Sequence, residues 1–106
     1  MPTVLIFSRH TAEDCPMNNE RMKKMSFEFT SKLAELAKKH GVRIAGNWAV
    51  MPEHLVVIVL EAPTLEALQR LQLEPTVMKW FASNTTEIKI AMTVDEARAL
   101  VFASIE

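Results

Sequence analysis

Glycine is almost absent from this chain of 106 residues, which has only Gly41 and Gly46. Neither a GxGxxG turn nor a Walker loop occurs, so a glycine-rich phosphate cradle is excluded. Cysteine occurs once, at Cys15, which rules out a disulfide within the chain. A single thiol suits a reducing compartment, and a cytoplasmic location is expected. Charge of one sign is missing too, since 12 basic residues face 13 acidic ones for a net charge of -1. That balance gives no electrostatic reason to expect nucleic acid or an anionic membrane as partner. No apolar run approaches the roughly 20 residues needed to span a bilayer. The opening Met1–Phe7 lacks a basic flank and reads as a strand, not a signal peptide. No repeat, low-complexity segment or nucleophile elbow around a serine is present.

What remains is ample apolar material, 49% of the residues. The expectation is one domain over residues 1–106. Thr3–Arg9 is rich in β-branched and aromatic residues and predicts a strand. After a polar loop containing Pro16, Asn18 or Asn19 can cap a helix. Its apolar stripe is Met22, Met25, Phe29, Leu33 and Leu36, and Gly41 stops it. Val42–Val50 alternates, which predicts Val42, Ile44, Trp48 and Val50 on one face, with Arg43 and Asn47 on the other. Leu55–Leu60 is a continuous apolar strand. Thr64 starts a second helix, and Pro75–Ala82 carries a further helical set. Glu87–Met92 alternates again. Thr93-x-x-Glu96 is a capping box, followed by a terminal helix over Ala97–Ile105.

The order is β-α-β-β-α-β plus a C-terminal helix, an α+β class. The first and third strands are apolar on both faces and belong in the sheet centre. The alternating strands suit its edges. This predicts an antiparallel sheet of order 4-1-3-2, the ferredoxin-like arrangement. Two crossover helices cover only one face of such a sheet. The other would expose either Leu5 and Phe7 or Val4 and Ile6, together with half of Leu55–Leu60. Such a patch favours a homodimer joined through the sheet face, the alternative cover being the C-terminal helix folded back.

The layout resembles the dimeric α+β barrel superfamily. Gly41-Val-Arg-Ile-Ala-Gly-Asn-Trp48, then Val57-Ile-Val-Leu-Glu-Ala62 and a helix from Pro63-Thr64, is similar to small members grouped near muconolactone-isomerase-like proteins. The resemblance covers residues 3–92. It implies a dimeric barrel and admits cofactor-free monooxygenases, isomerases, cyclases, haem-binding and metal-binding proteins, so it selects no function.

Topology brings the end of strand 1, the strand 2–3 hairpin and the start of strand 4 to one end of the sheet. That end carries His10, Glu13, Asp14, Cys15, Glu53, His54, Asn84 and Glu87. His10 follows Val4, Ile6 and Ser8 on one face. Imidazole and thiolate are good ligands for Zn, Ni, Cu or Fe. His10, Cys15 and His54 are therefore candidate ligands of one transition metal ion, with Glu13 or Glu53 as a fourth. The plainer alternatives are a strand-end His10 bonded to loop backbone, a buried Cys15 before proline and a solvated turn residue at His54. Cys15 is also weighed as a reactive thiol. A small-molecule pocket is expected from Phe7, Asn47, Trp48, Trp80, Phe81 and the methionines, with His10, Arg9 or Asn47 at its mouth, the plainer alternative being core packing. By resemblance, a cofactor-free monooxygenase or isomerase would use His10 as general base. A third class is a non-catalytic dimerisation or regulatory module without a cavity. His40 fits a helix C-terminus.

Overall fold

The computed structural model describes residues 2–103 and 105. Strand β1 (Thr3–Arg9) leads through a loop to helix α1 (Glu20–Lys39). Strand β2 (Arg43–Val50) returns through a single 3-10 turn, Met51–Glu53, into strand β3 (Leu55–Glu61). Helices α2 (Leu65–Gln72) and α3 (Pro75–Ala82) cross back to strand β4 (Thr85–Ala91), and helix α4 (Val94–Phe102) follows. The sheet order is β2-β3-β1-β4 with every neighbouring pair antiparallel. This is the expected ferredoxin-like α+β arrangement.

Local chemistry sets the helix ends. The Asn19 side chain accepts from the Met22 backbone N–H at 3.1 Å, and Thr64 caps α2 by accepting from Ala67 at 3.0 Å. Thr93 and Glu96 close a reciprocal capping box on α4. Gly41 ends α1 with φ +71°, a conformation that a Cβ disfavours. Its N–H donates to the Lys38 carbonyl, and that of Val42 donates to the Ala37 carbonyl, so two of the last acceptors of α1 are used.

The strand pairing fixes two unlike faces. Val4 and Ile6 lie opposite Leu60 and Ile58, and all four are buried beneath α1, α2 and α3 with Phe29, Leu33, Leu68, Leu71 and Trp80. On the other face, Leu5 and Phe7 lie opposite Val59 and Val57 and are only half-buried. Trp48 adjoins them across β3. Around this apolar centre stand two charged groups, Arg9–Glu87–Lys89 and Arg43–Glu61. Helix α4 buries none of its residues, so it is not the cover of that face. The Cα radius of gyration, 15.8 Å, exceeds the roughly 13 Å of a compact chain this long.

One expectation about β2 fails. The register slips between Ile44 and Gly46, where Ala45 is the extra residue of a bulge. Each residue after it changes face. Ile44 stays on the helix side opposite Leu60, whereas Trp48 comes to the open face opposite Val57. Asn47 and Ala49 turn to the helix side instead. The Trp48 ring then lies over Gly46, and a Cβ built there would collide with it. Helix α4 also begins three residues earlier than the Ala97 expected from sequence, directly after its cap.

Candidate functional site

At the end of β1, His10 continues the helix-side face set by Val4, Ile6 and Ser8. Its backbone N–H donates to the His54 carbonyl at 3.1 Å, one step beyond the Arg9–Leu55 pair. His54 closes the 3-10 turn with φ 52°, the only non-glycine positive φ among the described residues. Left-handed backbone costs a residue with a Cβ about 1–2 kcal/mol. Here it turns the imidazole back toward His10, and His54 Nδ1 stands 3.3 Å from His10 Nε2. The rings meet edge to face at 70°, with centroids 5.1 Å apart.

Cys15 arrives from the loop before α1. Asp14 N–H donates to the Thr11 carbonyl, Cys15 N–H to the Ala12 carbonyl and Asn18 N–H to the Cys15 carbonyl, a run of turns that folds the loop over the strand end. Cys15 is buried, 5% exposed. One donor atom each from His10, Cys15 and His54 lies within 4.8 Å of the others. Topology thus brings together three residues from three separate segments, as expected. Glu13 and Glu53 are exposed and outside the cluster.

The donor set fits a metal ion. Two metal–nitrogen bonds of about 2.0–2.1 Å at a tetrahedral angle put the nitrogens about 3.3 Å apart, and the imidazoles already have that separation. A nitrogen–sulfur edge of a tetrahedral site is about 3.6 Å, so from a separation of at most 4.8 Å the thiolate needs to close by no more than about 1.2 Å. Burial, reinforced by charge repulsion from His54, pushes the His10 pKa below the ordinary imidazole value, and Asp14 opposes this weakly. The neutral imidazole that a metal requires is therefore the favoured form of His10.

All three residues line one cavity of about 190 Å³. Phe29 and Trp80 form part of its wall as a parallel stack, centroids 4.0 Å apart and 3° from coplanar. Asn47 and Asn84 supply amides to its lining, and among the described residues no Lys, Arg, Asp or Glu lines it. Asn84 donates to the Trp80 carbonyl at 2.6 Å, which leaves its amide oxygen uncommitted.

The pocket expected from sequence needs correction. Asn47 and Trp80 do line the cavity. Phe7 does not, because odd positions of β1 face away from the helices. Trp48 does not, because the Ala45 bulge carries it to the same open face. Phe81 lines a separate, much smaller void beside Leu33 and Val77. Met17 and Met51 also line the cavity, and Phe29 is a wall residue that sequence reasoning missed. The Met22–Leu36 stripe held the signal for Phe29, but one stripe does not distinguish the core from a cavity wall. His40 does more than end α1: its Nε2 lies 2.9 Å from Glu74 Oε1, a tie from α1 to the start of α3.

The arrangement defines a ferredoxin-like fold with a lined cavity at one end of its sheet. A NIPSNAP domain protein from Burkholderia xenovorans shares that fold, with a TM-score of 0.60 and 13% identity over 89% of this chain and 95% of that one. A protein of known crystal structure from Agrobacterium tumefaciens is similar at a TM-score of 0.59 and 17% identity, over 89% of this chain and 94% of that one. At such identities the likeness is one of fold. No protein-family model matches the sequence. No curated protein matches it either. No helix of the described residues is long and apolar enough to cross a membrane.

Proposed function

We propose that this chain binds one first-row transition metal ion of the Zn, Ni, Cu or Fe group through His10 Nε2, His54 Nδ1 and the Cys15 thiolate. One observation carries the reading: three soft or borderline donors from separate segments converge within 4.8 Å beside a cavity. The left-handed backbone of His54 supports it, because strain of this kind collects at functional positions. A thiolate ligand also needs a reducing setting, in keeping with a cytoplasmic location. The working unit is a homodimer through the open sheet face. Leu5, Phe7, Val57, Val59 and Trp48 there form an apolar centre inside a charged rim, the usual make-up of an interface.

The test is metal analysis after equilibrium dialysis of chelator-treated protein against Zn²⁺. About one ion per chain is expected, falling below a tenth in His10→Ala and Cys15→Ser. A wild-type stoichiometry far below one overturns the reading.

A second reading rests on the depressed His10 pKa inside a mostly apolar cavity. His10 then acts as general base on a small organic molecule without a cofactor. Substrate turnover by metal-free protein, lost in His10→Ala, distinguishes it from the first.

A further inference from the structure

We infer that the fourth coordination position of this site opens into the cavity and takes the anionic oxygen of a small single-ring aromatic carboxylate or phenolate. The inference rests on the metal reading above and adds the ligand class. Three observations lead to it.

The first is ligand count. Among the described residues His10, Cys15 and His54 alone form the cluster, and all three stand in the cavity wall. A tetrahedral ion held by three protein ligands keeps one position for an exogenous group, the pattern of open sites.

The second is charge. A divalent ion with one thiolate and two neutral imidazoles carries a net charge of about +1, worth more in an apolar cavity than in water. One anionic donor neutralises it. Among the described residues no Lys or Arg lines the cavity, so without the ion no permanently charged cation there pairs with an anion. Metal-free protein should therefore reject an anion that the loaded protein accepts.

The third is size and shape. An apolar cavity of about 150 Å³ holds benzene, so about 190 Å³ admits one ring with a small substituent. The stacked Phe29 and Trp80 rings are part of the wall that such a ring would pack against. The Asn47 and Asn84 amides can hydrogen-bond a ring substituent or the second carboxylate oxygen.

The experiment is calorimetric titration of benzoate and, separately, toluene into Zn²⁺-loaded and metal-free protein. Benzoate should bind the loaded form at least tenfold more tightly than the metal-free form, while toluene should bind both within about twofold. In His54→Ala, benzoate binding should fall to the metal-free level with toluene binding kept, which shows that the cavity survives. Equal benzoate affinity with and without bound Zn²⁺ overturns the ligand assignment and leaves the metal site standing. Failure of Zn²⁺ to bind at all overturns both.

Discussion

The Phe29–Trp80 stack forms part of the cavity wall, and its removal has a calculable cost. Phe29 is 1% exposed and Trp80 4%. Truncating Phe29 to alanine removes a whole ring from a site with little freedom to collapse, because β1 and β3 lie beneath it and α3 beside it. Buried Phe→Ala changes cost about 3–5 kcal/mol, and a stacked pair contributes about 0.5–1.5 kcal/mol of that beyond burial. At about 4–8 °C per kcal/mol for a domain of this size, even the low end lowers Tm by about 12 °C. The assay is urea unfolding followed by far-UV circular dichroism at a fixed protomer concentration, for Phe29→Ala, Trp80→Ala and the double variant. Phe29→Leu keeps most of the volume and serves as a variant certain to fold more readily. The coupling energy of the cycle should be at least about 0.5 kcal/mol. A Phe29→Ala cost below about 1 kcal/mol, or coupling indistinguishable from zero, would refute the packed wall.

The fold was legible because several independent signals agreed. Val4–Phe7 and Leu55–Leu60 are apolar on both faces, and they are the two central strands. Asn19, Thr64 and Thr93 announce helix starts, and each is a cap. These devices act over three or four residues and need no tertiary information. The bulge at Ala45 is different. Nothing in Arg43-Ile-Ala-Gly-Asn-Trp48 breaks the period of two, and the slip depends on pairing with Leu60 and Val59 across the sheet. An error of one residue there exchanges Trp48 for Asn47 on the cavity side.

The site shows the same division. His10 follows from counting along β1, and the approach of Cys15 and His54 follows from topology alone. Their separation does not, because it depends on the left-handed turn at His54 and the hydrogen-bonded loop before α1. Sequence could say which chain segments meet at one end of the sheet. It could not say that two imidazole nitrogens come within 3.3 Å of each other, a separation that the proposed metal site requires.

Two further perturbations test the remaining structure. Lys39 and then His40, hydrogen-bonded to Glu74, hold its carboxyl below the usual carboxylate range. A depressed folded pKa stabilises above the unfolded value near 4.5 and loses that contribution as pH falls through the folded one, so Glu74→Gln should lower Tm at pH 7 by a margin that shrinks as the pH is taken progressively below 4.5. A Tm difference that is independent of pH would remove the ion pair as its cause. The open sheet face is tested at Val59, which lies between Leu5 and Gly46 at its centre. In a single chain Val59 is only half-buried, so the ammonium of a Val59→Lys variant can reach water at little cost to folding. Between two sheets it has no such exit, and an unpaired buried charge costs several kcal/mol. The variant should therefore sediment as a folded monomer at about 10 µM, where the wild type sediments as a dimer, since several kcal/mol weakens association by more than a hundredfold. A wild-type monomer at that concentration, or a dimer that tolerates Lys at position 59, rules out pairing through this face.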